Sequence, residues 1–287
     1  MRCSALLLLI FAIFTPSALA QQDSSRSAKV YRLTLNDGSE IIGTIIKEDT
    51  LQVEFQSISN ITMRVPKLQI ARMMLLSGIV VDGEYRRSDP NSTRLFFSPT
   101  GRAIGNGQGY FSAYEIFFPS IAVGIGDVVS LSGGISLLPG VESQIIYFAP
   151  KVTPLHIHNF DLSAGILFAG GTRRASSGGG IVYGVGTYGS EDNSLTMGLG
   201  WAFSGGDLSS RPIVLLGGEI RLSNSIKLIS ENWFPPWTDV IIYSFGLRFF
   251  GENLAADLGF ARTSAKMVTS GFPFIPWIGF TYNFGAH

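Results

Sequence analysis

From Asn193 to Gly206 the chain reads NSLTMGLGWAFSGG, with Leu195, Met197, Leu199, Trp201 and Phe203 on one parity and Thr196, Gly198, Gly200 and Ala202 on the other. A period of two is that of a β-strand, whose successive side chains point to opposite faces. The split recurs in NFDLSAGILF, where Phe160, Leu162, Ala164, Ile166 and Phe168 oppose Asp161, Ser163, Gly165 and Leu167. It recurs again in VVSLSGGISLL, with Val129, Leu131, Gly133, Ile135 and Leu137 against Ser130, Ser132, Gly134 and Ser136. A soluble sandwich turns its apolar face to a core and clothes the other in Lys, Glu, Arg and Thr. Here the second face is mainly Gly, Ser, Thr and Ala, which suits an enclosed lumen and leaves the apolar face for lipid. In lipid every backbone polar group must be paired within the protein, so strands cross only as a closed barrel, with ~9 to 11 residues each. The expectation is an all-β chain built around a transmembrane antiparallel β-barrel.

Composition agrees. Charged residues make up 15% of the 287, against roughly 25% in soluble domains. Net charge is zero and no basic run occurs, so nucleic acid is not an expected partner. Arg2, the apolar run Ser4 to Phe14 and the small-x-small tripeptide Ala18-Leu19-Ala20 read as a signal peptide over residues 1–20, cut after Ala20. The sole cysteine, Cys3, lies inside it, leaving no thiol nucleophile, disulfide or thiolate metal site for the exported chain.

Two regimes follow. Residues 29–76 carry ordinary charge density and turn signals at Asn36-Asp37-Gly38 and Lys47-Glu48-Asp49. Their strand, NDGSEIIGTI, strand and closing VPKLQIARM resemble a small SH3-like or Sm-like barrel. Sm-like domains bind RNA, but the export signal and the lack of a basic stripe point instead to a periplasmic protein contact. Residues 77–92, ending EYRRSDPNS, read as a linker, and 93–287 as the barrel. Counting back from the C-terminus, connections alternate between short and long, as barrels with short periplasmic turns and long external loops require. The count reaches twelve strands if residues 94–103 (RLFFSPTGRA) form the first and 109–125 the second, with ten as the alternative because Pro99 falls inside the first. The apolar phase changes at Phe118-Pro119, which reads as a β-bulge.

If FFGENLAA is a hairpin, Arg248 lies opposite Asp257 on the lumenal face, where paired charges are tolerable. Glu115, Glu219, Arg221, Lys227 and Glu231 fall on the same inferred face, giving a lumenal charge cluster that either fills the barrel or lines a permeation path. Trp233, Trp237, Trp277, Tyr110, Tyr282 and Phe284 fall near strand ends, where aromatic girdles sit. Signs of catalysis are weak. His156 and His158 share a strand face without a third ligand of the same parity, so no metal site is expected. His287 is the remaining imidazole, and no serine stands beside a histidine at an outer strand end as a hydrolase needs. The GNGQG run at 105–109 lacks the helix that a phosphate loop requires. No cofactor and no enzymatic activity are expected.

The last strand carries Gly279-Phe280-Thr281-Tyr282-Asn283-Phe284, which resembles the Gly-x-x-aromatic-x-aromatic signal ending bacterial outer-membrane proteins. That resemblance implies Gly279, Tyr282 and Phe284 as the signal read by the barrel-assembly machinery. It departs in its tail, where Gly285-Ala286-His287 follow the final aromatic. The stretch from Ser92 to Pro139 is similar to barrel proteins of Bacteroidota-type bacteria. The resemblances imply an outer-membrane protein acting as a passive channel or a binding platform. Its partners would be outer-membrane lipid, the assembly machinery and a periplasmic protein at the small domain. The competing expectation is a soluble secreted β-sandwich or lipocalin-like binder.

Overall fold

The computed structural model describes residues 29–81, 83–173, 178–236, 241–264 and 274–285. The expected signal peptide with Ala18 and Ala20, as well as Trp237 and His287, lies outside them. The first strands are β1 (Val30–Leu35), β2 (Glu40–Glu48), β3 (Gln52–Ser57), β4 (Thr62–Pro66) and β5 (Ile70–Leu76). They pair antiparallel in the order β4-β3-β2-β1-β5, with a 3-10 turn at Lys67–Gln69 before the last. Leu33, Val53, Phe55 and Val65 are its buried centre, so alternation in these strands points inward to a core in the ordinary way.

Residues 77–92 are more than a connector. They hold the hairpin β6 (Ile79–Val81) and β7 (Glu84–Arg86), after which the chain turns into the barrel with Asp89 and Asn91 buried.

The barrel strands are β8 (Gly109–Tyr114), β9 (Phe118–Ile125), β10 (Val129–Ile135), β11 (Ile145–Ile157), β12 (Phe160–Gly171), β13 (Gly179–Gly189) and β14 (Asn193–Ser204). After a two-residue strand β15 (Asp207–Leu208) come β16 (Ile213–Ser223), β17 (Ile226–Phe234), β18 (Ile242–Phe250), β19 (Leu254–Thr263) and β20 (Ile275–Phe284). Leaving aside β15, which pairs only with the end of β14, each strand is antiparallel to its neighbours. The ring closes where β20 meets β8, from Gly279 opposite Tyr114 to Phe284 opposite Gly109. Twelve strands thus form a closed ring, without the free edges that lipid forbids.

The polarity of the ring is inverted relative to a soluble binder. Met197, Phe168, Phe245 and Phe280 stand exposed on the exterior, whereas Lys227, Arg248 and Asp257 are each 0% exposed inside. A β-sandwich or lipocalin-like protein has the opposite arrangement, so that alternative falls. The predicted faces of β10, β12 and β14 hold: Thr196, Ser163 and Ser130 are buried in the lumen while Leu195, Leu162 and Phe160 face out.

Two expectations about the strands need correction. Residues 94–103 form no wall strand; they lie inside the barrel, joined only by a bridge between Arg94 and Pro99. Residues 109–125 form two strands, not one. Glu115 and Ile116, both at positive φ (48° and 64°), make the tight turn between them, so the phase change at Phe118-Pro119 is a reversal of the chain and not a bulge. Left-handed positions in a short hairpin loop are usually filled by Gly or Asn; Glu-Ile-Phe in this three-residue loop conceals it.

The tight connections at 126–128, 158–159, 190–192, 224–225 and 251–253 share one end of the barrel with the start of β8 and the finish of β20. The opposite end carries the longer connections, apart from the turn at 115–117. The seam gives a direct test. Phe111 and Tyr282 are opposed across it and face outward. Cysteines at these two positions should crosslink within one chain and survive as a mobility shift on a denaturing gel, while cysteines at 97, in the plug, and 282, on the outer face, should stay unlinked.

Candidate functional site

What fills the lumen is the chain itself. After Asp89 it rises from the short-turn end, reverses at Leu95-Phe96-Phe97-Ser98 and returns past Arg102 to Ile104. The reversal is held by Leu95 N–H donating to Ser98 O (2.9 Å) and Thr100 N–H donating to Thr93 O (3.0 Å). This plug has little secondary structure of its own, so its backbone groups need partners in the wall. The small polar residues of the lumenal face supply them. Gly101 N–H donates to Thr187 Oγ1 (2.8 Å), Ser163 Oγ donates to Gly101 O (2.5 Å) and Ile104 N–H donates to Ser130 Oγ (3.1 Å). Lys151 Nζ donates to the carbonyls of Thr100 (3.0 Å) and Arg102 (2.5 Å). At the tip, Glu231 Oε2 accepts three consecutive N–H groups, from Phe96 (2.9 Å), Phe97 (3.0 Å) and Ser98 (3.1 Å), while its Oε1 accepts from Trp233 Nε1 (2.8 Å).

Glycines make room for this. A Cβ on wall residue Gly217 would lie 2.3 Å from Leu95 Cδ1, and one on Gly101 of the plug would lie 2.3 Å from the Asp161 carbonyl oxygen. The plug therefore rests directly on the wall.

Below the tip, ions alternate in sign in one connected chain. Arg94 pairs with Asp257 (2.7 Å), Asp257 with Arg248 (2.7 Å), Arg248 with Asp89 (3.3 Å), and Asp89 with Lys227 (2.9 Å). Lys227 continues to Glu219 (2.9 Å), Glu219 to Arg102 (3.5 Å) and Arg102 to Asp161 (3.8 Å), whose other oxygen meets His156 Nδ1 at 2.5 Å on the rim. Plug residues Asp89, Arg94 and Arg102 interleave with wall residues, so the chain binds the two parts together. Arg248 is its centre, its guanidinium also donating to the plug carbonyls of Asn91 (2.9 Å), Arg94 (3.2 Å) and Leu95 (2.5 Å). Burial alone would raise the Asp89 carboxyl, but the Arg248 and Lys227 charges hold it well below the usual carboxylate range.

Of the charges expected in the lumen, Glu219, Lys227, Arg248 and Asp257 come together in this chain, and Glu231 stands nearby at the plug tip. Arg221 sits apart at the short-turn rim, paired with Asp192 and lying over the Phe250 ring. Glu115 occupies the turn at the other end, where its carboxylate accepts from Ile278 N–H. Asp89, Arg94, Arg102, Lys151 and Asp161 were not singled out from the sequence. For the three plug residues the signal was the density of Asp, Arg and Asn in 86–102, which also describes a polar linker; for Lys151 and Asp161, on β11 and β12, it was lumenal parity. Gly279 faces the lumen while Tyr282 faces outward, and the Phe284 ring packs on Phe111 of β8 with centroids 5.0 Å apart.

A second set of contacts fixes the small domain's side of the chain to the short-turn end. Glu252, in the turn between β18 and β19, accepts from Tyr85 Oη (3.1 Å), Arg87 Nε (3.0 Å) and Ser77 Oγ (3.2 Å), with Arg32 of β1 at 3.9 Å. Asn224 accepts from Arg87 N–H and donates to the Tyr85 carbonyl. Burial and the neighbouring Glu252 carboxylate push the Tyr85 hydroxyl up to about 12, so it remains a donor at neutral pH.

No protein-family model and no curated protein matches this chain. Among solved structures it is similar to the KdgM porin in complex with disordered oligogalacturonate, at 10% identity and a TM-score of 0.46 over 63% of this chain and 99% of that one. It is also similar to the NanC porin (7%, TM-score 0.41, 62% and 97%) and to the outer membrane protein Omp33 of Acinetobacter baumannii (10%, 0.37, 63% and 96%). These likenesses say nothing about a solute, and the barrel itself stands on its closed strand pairing.

Removing one partner from a buried ion pair costs on the order of 3–5 kcal/mol because it strands the other. Arg248→Met should therefore unseat the plug and expose the Arg94-Leu95 and Arg102-Ala103 bonds to trypsin, cleavage that the intact protein should resist; adding Asp89→Asn, which removes the carboxylate left in excess while Lys227 keeps Glu219 and Arg94 keeps Asp257, should restore part of the protection. The pH dependence follows from Asp89. A depressed carboxyl stabilises the folded state fully above its ordinary value of 3.8 and loses that contribution as pH falls below it. The Asp89 contribution to plug protection, read as the difference between the native protein and Asp89→Asn, should be constant from pH 8 to 5 and decline only in stronger acid.

Proposed function

We propose that this protein is an outer-membrane barrel closed at rest by its own plug, serving as a membrane-anchored platform for the small domain. The observation that carries the reading is the segment 89–104, which occupies the lumen and is tied to the wall by the alternating ion chain. A permeation path for polar solutes needs hydrated lumenal charges, and here the charges of plug and wall are buried against one another. The short-turn end would face the periplasm, placing the small domain and its Glu252 joint there, as the usual asymmetry of loop lengths supports. Outer-membrane lipid is then the partner of the exposed apolar exterior. The barrel-assembly machinery would be the reader of Gly279, Tyr282 and Phe284, and a periplasmic protein the partner of the small domain. The cluster of Glu219, Lys227, Arg248 and Asp257 acts in this reading as a lock for the plug and not as a selectivity lining.

Planar-bilayer recording separates closed platform from open channel. The native protein should be silent, and replacing residues 92–102 by a Gly-Ser linker of equal length should produce stable conductance steps. Porin-sized steps from the native protein would overturn the reading.

A further inference from the structure

The plug fills the lumen unevenly. Its tip leans on the β16–β20 side, where Leu95 lies against Gly217 and the Phe96 ring packs on Trp277 with centroids 5.9 Å apart. Towards β11–β14 the wall is thin, because Gly198 and Gly200 carry no side chain on the lumenal face. A cavity of about 110 Å³ remains there. Phe97 and Pro99 of the plug line it, Leu167, Ile181, Ile213 and Leu215 give it apolar walls, and the rings of Tyr147 and Tyr183 border it. Lumenal polarity therefore changes along the barrel axis: ions at the short-turn half, grease and phenols towards the long-loop half.

We infer that this cavity is a binding site for a small neutral amphiphile, a single aromatic ring bearing a hydroxyl. Size sets the first limit: at about 110 Å³ the cavity is somewhat smaller than the ~150 Å³ dry apolar cavity that admits benzene, so it takes no more than a single ring. Charge sets the second. Two cations border the cavity, but Arg94 is paired with Asp257 (2.7 Å) and Lys151 is spent on the plug carbonyls of Thr100 and Arg102. A charged ligand would lose its hydration and meet no free counter-charge, while a hydroxyl can exchange hydrogen bonds with the bordering phenols. Apolar walls with few polar groups are the usual character of small-molecule sites. The site rests on the closed-barrel reading in one respect, that the seated plug supplies Phe97 and Pro99.

The test is a ¹⁹F NMR titration of 4-fluorobenzyl alcohol into the full-length protein in lipid nanodiscs, with empty nanodiscs measured in parallel to subtract partitioning into lipid. Saturable binding is expected, weakened at least tenfold by Gly198→Leu, which points into the cavity and whose Cβ would sit 3.4 Å from its nearest neighbours. Leu215→Ala, which enlarges the cavity, should instead bind 4-fluorophenethyl alcohol several-fold more tightly than the native protein does. Heat-dependent gel migration certifies that each variant is folded, and Leu215→Ala alone carries the test if Gly198→Leu is not. No saturable binding, equal binding in the folded variants, or tighter binding of 4-fluorobenzoate than of the alcohol would overturn the site. Conductance on the same samples keeps the two readings apart: a silent protein that fails to bind refutes the cavity site alone, whereas a conducting native protein refutes the closed barrel.

Discussion

The alternating chain of ions through the short-turn half of the lumen is the interaction on which the rest of the structure depends. Each of its members would be costly to bury alone, and each is placed between two opposite charges or capped by backbone. The wall contributes Asp161, Glu219, Lys227, Arg248 and Asp257, and the plug contributes Asp89, Arg94 and Arg102. Neither set is balanced without the other: those five wall residues carry a net −1 and the three plug residues a net +1. The barrel and its plug therefore complete one another electrostatically, and the interior is specified as a unit instead of as a wall with an inserted loop.

Much of the fold was legible because strand periodicity survives in a single sequence. The lipid-facing and lumenal parities of β10, β12 and β14 and the Arg248–Asp257 opposition follow from counting alternate residues. The plug was not legible, for a physical reason. RLFFSPTGRA has apolar residues at strand-like density, and whether Leu95 and Phe96 meet lipid or the inner wall depends on long-range packing that local pattern does not record. Because a Glu-Ile turn at positive φ carries none of the usual turn chemistry, β8 and β9 read as one strand, and that single strand demanded an earlier outward one, for which 94–103 was the only candidate. The two misreadings offset each other in the strand count.

The candidate site divides along the same line. Wall charges could be found by parity, since a charge on the lumenal face of a lipid-immersed strand stands out. Plug charges could not, because Asp89, Arg94 and Arg102 sit in a run that also describes an exposed tether. The lumenal serines, threonines and glycines were visible as a pattern but open in meaning: a hydroxyl bonded to channel water and one bonded to a plug amide are the same letter. Only the observed contacts of Ser130, Ser163 and Thr187 with plug backbone decide between them.

The plug enters and leaves through the same end of the barrel, its two ends continuous with the β6–β7 hairpin and with β8. It is a bight and not a thread, so drawing it out requires no free end and no opening of the seam. Withdrawal can be driven only from the side where the small domain is clamped by Glu252, and an object arriving at the long-loop face can press on the tip of the bight but has no strand to pull. In the closed-barrel reading proposed above, this topology makes the barrel a one-sided latch whose handle is the small domain.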